Sequence, residues 1–265
     1  MDRIYEKIFN SIELESLWNC NGGYVDRECC SWYHQNWMFL RRLHLVSNPM
    51  WHEKFYKLAI KTLKCANKDV LVLGTADFSM PFLCYEAGIE KLDICDICKT
   101  PLNICDRIAD MYSLNWNTYI GDIKNGLNKK YDIIIDDAFL TRFDYDDKRY
   151  VLQKISDALN YDGVYITTIR KGWNNGKAVI PTSQQKKDFI RKSLINAKVE
   201  NMDLTMIEKA ASSYINKMVS FPIKDEDSLS RLVEGVFTIE NCTAVSVPGE
   251  CESSIYYQVI MKKLK

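Results

Sequence analysis

Residues 70–96 read VLVLGTADFSMPFLCYEAGIEKLDICD, and this stretch decides the fold. The apolar run Val70–Leu73 ends at Gly74 and is typical of a buried strand. A helical stretch follows and is closed by Gly88, and a second apolar run then ends at Asp96. This order of strand, helix and strand predicts two parallel strands joined by a right-handed crossover.

The same alternation continues to residue 170. Three further strands are predicted to end at Asp122, at Asp136 and at Thr168, with helices between them. The last of these strands is predicted to begin at Gly163, after a turn at residues 160–163. The segments Phe237–Val247 and Ser254–Lys262 are predicted to form an antiparallel hairpin. The pattern therefore predicts an α/β fold, with a seven-stranded, mainly parallel sheet and helices on both faces.

Helical patterns lie before the predicted sheet and inside its last third. Residues 1–65 are interpreted as an N-terminal helical cap, broken at Gly22-Gly23, whose second helix is predicted to end at Val46. Residues 66–265 form the predicted sheet domain, with a helical insert at about 171–225 before the last two strands. No repeat or low-complexity linker separates these parts, which indicates one domain with additions.

The composition opposes several classes of protein. The sequence has 35 basic and 35 acidic residues and a formal net charge of zero, so nucleic acid is not an expected partner. Without a run of about 18 apolar residues or a signal-peptide core, we expect a cytoplasmic protein that does not enter a membrane. The ten cysteines are interpreted as reduced thiols, and the lone Cys95–Cys98 pair as no metal site. The sequence does not indicate an oligomeric state.

The carboxyl ends of the parallel strands are predicted to form the ligand site, as in other open α/β sheets. Gly74 follows the first strand, and a glycine turn lets the backbone approach a ligand closely. Asp96, Asp122 and Asp136 end the next three strands. Because Asp96 stands about 20 positions after the glycine, its carboxylate suits the hydroxyls of a ribose. A nucleoside is therefore the expected ligand.

With this series of strands and acids, residues 70–170 resemble the class I S-adenosylmethionine (SAM)-dependent methyltransferase superfamily. The resemblance implies a Rossmann-like methyltransferase sheet that binds SAM, with its methionine part at the Gly74 turn, its ribose at Asp96 and its adenine at Asp122. It also places the loop that begins at Asp136 near the methyl-transfer centre. The cofactor-binding residues implied in this way are Gly74, Thr75, Ala76, Asp96, Ile97, Asp122, Ile123 and Asp136.

An NAD-binding Rossmann domain is the structural alternative. Its GxGxxG pattern is absent after the first strand, and Asp77 is expected to repel a pyrophosphate. The sequence also departs from the methyltransferase family, because Val72, Ala76 and Phe78 occupy positions where that family usually has an acidic residue and two glycines. The SAM prediction therefore depends on the whole strand–acid series.

The cap carries the candidate catalytic residues. His34 is the first candidate for a general base, since an unperturbed imidazole pKa near ~6.5 suits proton removal at neutral pH. The alternative is that His34 only hydrogen-bonds a neighbouring helix. Tyr33 is expected at the substrate or the sulfonium, and Tyr24 and Trp37 at the substrate. Trp37 has its own alternative, packing of the cap on the sheet domain.

Two arginines follow predicted strands, Arg142 after the fourth and Arg170 after the fifth. Arg142 or Arg170 is expected to bind the carboxylate of the substrate or of SAM itself, because a guanidinium group matches that geometry.

The leading functional prediction is methyl transfer from SAM to a small-molecule nucleophile. The alternative is cyclisation of SAM to azetidine-2-carboxylate with release of methylthioadenosine. It follows from a narrower resemblance of residues 28–34, 74–77 and 137–143 to a bacterial group of specialised metabolism that includes azetidine-2-carboxylate synthases. A SAM- or nucleotide-binding module without chemistry is a third hypothesis. RNA methylation is a fourth, and the zero net charge opposes it.

Overall fold

A computed structural model describes residue 20 and residues 31–173, 176–249 and 254–264. Tyr24 and the helix predicted before Gly22-Gly23 lie outside these residues. Within the described ranges, no helix combines the length and the apolar character that crossing a membrane requires.

The described residues contain one seven-stranded sheet. Its strands are β1 Val70–Leu73, β2 Lys91–Asp96, β3 Asn115–Ile120, β4 Tyr131–Ile135, β5 Leu159–Arg170, β6 Phe237–Val247 and β7 Ser254–Lys263. The spatial order is β3-β2-β1-β4-β5-β7-β6. Strands β1 to β5 pair in parallel, whereas β7 is antiparallel to both β5 and β6. The strand order reverses between β1 and β4, where ligands of such sheets bind.

Helices cover both faces of the sheet, as predicted. They are α1 Ser31–Arg42, α2 Glu53–Thr62, α3 Ser79–Glu86, α4 Lys99–Tyr112, α5 Tyr145–Ala158, α6 Ser183–Val199, α7 Leu204–Lys217 and α8 Glu226–Val233. Short 3-10 turns at Pro49–His52, Ile123–Asn125 and Phe139–Arg142 lie in the connections.

Alternation along the strands divides the core into two sides. Val70 and Val72 pack with α2, α3 and α4 on one face of the sheet, whereas Leu71 and Leu73 pack with α5 and α8 on the other. Successive side chains of a strand point to opposite faces, so a fully apolar run such as β1 is buried on both.

A third apolar cluster joins the cap to the insert. Trp37 and Leu40 of α1 pack with Phe189 of α6 and with Ile207 and Tyr214 of α7. The cap and the insert therefore form one helical layer, which the sequence did not predict.

Two predicted bounds are wrong for local reasons. α1 ends at Arg42 and not at Val46, because His44 adopts a left-handed backbone with φ 56° that an α-helix cannot continue through. β5 begins at Leu159, so its first residues, before Gly163, belong to the strand rather than to a preceding turn. Asp162 takes a φ of 63° there, and the register with β4 shifts nearby, between Tyr131 and Ile133.

Candidate functional site

The Gly74 turn closes β1 at the point where the strand order reverses. Its backbone N–H donates to Cys95 O of β2 at 2.8 Å, and its φ of 66° lies in the left-handed region. A side chain at this position would collide with the ring of Phe139. Glycine is therefore required both by the backbone conformation and by the close approach of the loop after β4.

Asp77 stabilises this turn from inside. Its side chain is fully buried, forms an ion pair with Arg41 of α1, and accepts a hydrogen bond from Ser79 N at 2.8 Å. The Asp77 charge is thus matched by a guanidinium group within the protein. Asp77 is consequently not expected to repel a pyrophosphate. Only the absence of the GxGxxG pattern after β1 then distinguishes this site from an NAD site.

Asp96 ends β2 beside the turn. Its Oδ1 accepts a hydrogen bond from Cys98 N at 2.7 Å, and its carbonyl accepts one from Gly121 N at 3.0 Å. Burial raises the pKa of the Asp96 carboxyl to about 7, against the opposing effects of His34 and of backbone N–H groups. The neighbouring Ile97 side chain is 41% exposed, although it is apolar.

Asp122 follows β3 and caps the 3-10 turn Ile123–Asn125. Its Oδ1 accepts a hydrogen bond from Lys124 N at 2.9 Å. Its Oδ2 is buried and has no hydrogen-bond partner among the described residues. A buried carboxylate oxygen without a donor is costly, and a ligand that donates an N–H there would satisfy it. Ile123 is buried in the core beneath it.

The two aspartates after β4 take different positions. Asp136 is fully buried, and its carboxylate accepts hydrogen bonds from the Tyr165 and Thr167 hydroxyls of β5. Burial raises the Asp136 pKa to about 7. Asp137 instead lines a cavity, where its carboxylate accepts hydrogen bonds from Thr168 at 2.8 Å and Tyr56 at 3.2 Å. Asp137, for which the sequence predicted no role, therefore lines the cavity, and the predicted Asp136 does not.

This cavity lies between the strand ends and the helical layer. The cavity has a volume of about 100 Å³, which is less than the roughly 300–1,000 Å³ usual for small-molecule sites. Four of the predicted site residues outside the Gly74 turn line the cavity, which are Tyr33, Trp37, Arg142 and Arg170. Side chains without a predicted role line it too, among them Arg41, Asp137, Tyr214 and Ser220.

 The predicted turn residues Gly74, Thr75 and Ala76 also line the cavity.

Three aromatic side chains form one wall of the cavity. The Tyr33 and Trp37 rings of α1 lie 4.5 Å apart, and Tyr214 of α7 lies 5.8 Å from Trp37. Burial raises the pKa of the Tyr33 phenol, although Arg142 and Arg41 oppose that effect. Tyr33 therefore keeps its proton at neutral pH and is suited to donate a hydrogen bond, not to act as a base.

Guanidinium groups supply the positive charge of the cavity. Arg142 lies over the Tyr33 ring at 5.5 Å and donates a hydrogen bond to Val219 O at 3.2 Å. Arg170, at the end of β5, donates to the hydroxyls of Ser220 and Ser254, each at 3.5 Å. Both arginines are thus held by the insert or by β7 while they line the space where a ligand carboxylate would lie.

His34 faces a different group of residues. Its Nδ1 lies 3.6 Å from Cys20 Sγ, and Cys20 Sγ lies 3.6 Å from Cys98 Sγ. Among the described residues, those that line the cavity do not include His34. The structure therefore brings Tyr33, Trp37, Arg142 and Arg170 together around one space, and places His34 beside thiols near Asp96.

Sequence reasoning assigned no role to several residues of this cavity. Asp137 carried a partial signal, because it directly follows Asp136 and neighbouring side chains after a strand point in different directions, but the sequence does not say which of the two faces the cavity. Tyr214 and Ser220 carried none, since only the packing of the insert over the sheet edge brings them to the cavity.

The sequence matches no family model and no curated protein. Solved structures do match the fold. Magnesium protoporphyrin IX methyltransferase (ChlM) from Synechocystis PCC 6803, with bound S-adenosylhomocysteine (SAH), has a TM-score of 0.53 and 14% identity, and the match covers 100% of each chain. N-methyltransferase NodS from Bradyrhizobium japonicum WM9, in complex with SAH, has a TM-score of 0.53 and 11% identity over 89% of this chain and 100% of that one.

A third matching structure is 1,6-didemethyltoxoflavin-N1-methyltransferase from Burkholderia thailandensis, with bound 1,6-didemethyltoxoflavin and SAH. Its TM-score is 0.55, and its identity is 11% over 80% of this chain and 78% of that one. At such identities the likeness concerns the fold alone. The seven-stranded sheet with its antiparallel β7 is accordingly the Rossmann-like α/β fold of methyltransferases, which confirms the predicted fold class.

Proposed function

We propose that this protein binds SAM at the carboxyl edge of the sheet and transfers its methyl group to a small-molecule nucleophile. One observation carries the proposal: the Gly74 turn, Asp96 and Asp122 follow the neighbouring strands β1, β2 and β3 in that order, beside a cavity at the switch point. The methyltransferases with the same fold reported above were crystallised with SAH.

Each part of SAM has a suitable partner along this edge. Asp96 is proposed to accept hydrogen bonds from the ribose hydroxyls, with the exposed Ile97 against the adenine ring. The unpartnered Oδ2 of Asp122 suits the adenine amino group as donor. The methionine chain then extends past Gly74 into the cavity, where Arg142 or Arg170 binds its carboxylate.

The aromatic wall is suited to the sulfonium. Cation–π attraction to Tyr33, Trp37 or Tyr214 is worth roughly 0.5–2 kcal/mol, depending on how dry the site is. The acceptor atom attacks the methyl carbon in line, the sulfur–methyl bond breaks, and SAH leaves as a neutral thioether. The protein contributes mainly alignment and exclusion of water.

Asp137 is proposed to accept the hydrogen bond of the attacking O–H or N–H group and to take up its proton as the methyl group is transferred. It is the carboxylate on the cavity wall, and three hydroxyls (Ser47, Tyr56 and Thr168) hold it in place. His34 was predicted as the base, but its ring faces Cys20, so the proposed reaction does not use it. We expect Asp137→Asn to lower kcat while SAM affinity changes little.

Binding is tested by calorimetry with SAM and SAH. Asp96→Ala is expected to weaken SAM binding by about 10- to 100-fold, equivalent to roughly 1.4–2.8 kcal/mol, because its hydrogen bonds to the ribose hydroxyls are lost. Asp110→Ala, an exposed aspartate on α4, is the matched control and should bind like the wild type. Wild-type protein that binds neither SAM nor SAH would contradict the proposal.

The reaction is tested by mass spectrometry of incubations with SAM, alone and with a panel of small phenols, carboxylic acids, amines and N-heterocycles. Methyl transfer predicts SAH and a methylated product only when an acceptor is present. Cyclisation predicts methylthioadenosine and azetidine-2-carboxylate from SAM alone. The matching proteins described above are methyltransferases by name, so methyl transfer is the function we propose.

A further inference from the structure

A cluster of soft metal ligands lies next to the proposed ribose site. Cys20, His34 and Cys98 each offer one ligand atom, and these three atoms lie within 4.8 Å of one another. They come from three separate places in the chain: residue 20, helix α1, and the start of α4. The proposed methyl transfer uses none of the three side chains.

The spacing of these atoms matches a tetrahedral zinc site. Zinc bonds of about 2.3 Å to sulfur and about 2.0–2.1 Å to nitrogen, at tetrahedral angles, place two sulfurs about 3.8 Å apart and a sulfur and a nitrogen about 3.6 Å apart. The distance from Cys20 Sγ to Cys98 Sγ is 3.6 Å, and that from Cys20 Sγ to His34 Nδ1 is also 3.6 Å. These two distances fit a bound zinc ion, and the third pair of ligand atoms, on His34 and Cys98, lies within 4.8 Å.

The surroundings hold the ligand side chains in place. Cys98 occupies the N-cap of the 14-residue helix α4, two residues after the end of β2. The hydroxyl of the fully buried Thr100 lies 3.0 Å from Cys20 Sγ and is placed to donate a hydrogen bond to it. Such outer contacts orient the first ligands of metal sites.

We propose that Cys20, His34 and Cys98 bind one Zn²⁺ ion. On binding, the two thiols release two protons, the neutral imidazole donates its Nδ1 lone pair, and the two thiolates balance the ionic charge. The three side chains leave a fourth position for water or a further ligand. Because two ligands belong to the cap and one to the sheet domain, the ion fastens the cap beside the end of β2.

The Cys95–Cys98 pair does not act as a unit here. Cys95 is buried and its Sγ donates to Gly121 O at 3.5 Å, and of the pair only Cys98 belongs to the cluster. The sequence analysis interpreted this pair as no metal site and gave Cys98 no metal role, because its proposed co-ligands are distant in the chain.

The first test adds Co²⁺, a spectroscopic substitute for Zn²⁺, to wild-type protein with reduced thiols and no histidine tag. We expect thiolate-to-cobalt charge transfer in the near-ultraviolet, tetrahedral d–d bands in the visible, and loss of both when Zn²⁺ displaces Co²⁺. Reduced wild-type protein without these bands would overturn the proposal, and this measurement needs no variant that might misfold.

The second test locates the site. Metal content by plasma mass spectrometry is expected to be one Zn²⁺ per wild-type chain. Cys20→Ser, Cys98→Ser and His34→Gln should each lower Zn²⁺ affinity by at least about 100-fold, since even outer-shell changes cost 10- to 100-fold. Cys242→Ser, a partly exposed cysteine on β6, is the matched control and should keep the ion.

Circular dichroism of each variant accompanies this comparison, and unaltered metal content in a folded Cys98→Ser protein would overturn the site. Both tests omit SAM. A negative result therefore refutes the zinc site and leaves the proposed methyl transfer intact, whereas failure of SAM binding leaves the zinc site intact.

Discussion

Asp136 shows, at the scale of one residue, how burial links stability to pH. Its pKa is raised to about 7 by burial, so between about pH 4 and pH 7 the folded protein holds a proton that the unfolded chain has released. The stability that this group contributes is present below about pH 4 and is lost as the pH rises through 7. At about 1.4 kcal/mol per pKa unit, the loss is on the order of a few kcal/mol.

Asp136→Asn removes this titration. The variant is therefore expected to lose less unfolding free energy than the wild type between pH 4 and pH 7, as measured by urea denaturation at several pH values. Asp110→Asn, an exposed carboxyl on α4, is the control and should follow the wild-type curve. If the unfolding free energy of Asp136→Asn and of the wild type falls equally between pH 4 and pH 7, the raised pKa of the buried Asp136 carboxyl is refuted.

Gly74 allows a second test at this scale. Gly74→Ala places a methyl group against the Phe139 ring in a backbone with φ 66°. Gly126→Ala has a similar backbone strain, with φ 80°, but nothing lies within 4 Å of the new atom. We expect Gly74→Ala to be less stable than Gly126→Ala by about 1–3 kcal/mol, the usual cost of overpacking. If Gly74→Ala and Gly126→Ala have denaturation curves of equal midpoint, the close approach of the Phe139 ring to Gly74 is contradicted.

At the scale of elements, the sequence predicts the strands better than the helix contacts. β6 at Phe237–Val247 agrees with its predicted bounds, because a patterned run between turn residues indicates a strand directly. The end of α1 was missed because the left-handed turn at His44 has no glycine to signal it. Which of Asp136 and Asp137 faces the cavity depends on the register of β4, which the pattern of residues does not contain.

Packing of α1 on α7 is the element contact that shapes the cavity. Tyr214→Ala removes a buried ring that lies 5.8 Å from Trp37 and 5.8 Å from Phe189, and should cost about 3–5 kcal/mol of stability, as for other large core aromatics. Hydrogen exchange is expected to accelerate in α1 and α7 and to stay slow in β1. Tyr150→Ala, an exposed tyrosine of α5, is the control. If hydrogen exchange in α1 is equally fast in Tyr214→Ala and in Tyr150→Ala, the packing of α1 on α7 in one helical layer is contradicted.

At the scale of the whole molecule, the proposed SAM site joins separate parts of the fold. The Gly74 turn, β2 and β3 come from the sheet, whereas Tyr33 and Tyr214 come from the helical layer above it. A ligand that contacts both parts binds the folded chain and not the unfolded one, so its binding free energy adds to the stability of the whole.

The size of this stabilisation follows from mass action. With SAM at 100 times its Kd, the free energy of unfolding should rise by about 2.7 kcal/mol, and the Tm by roughly 5–10 °C for a chain of this size. Asp96→Ala should show a smaller shift at the same SAM concentration, while Asp110→Ala should match the wild type. If the Tm of the wild type does not depend on SAM concentration, the proposed SAM site is wrong. The protein would then have the fold of methyltransferases without binding their cofactor.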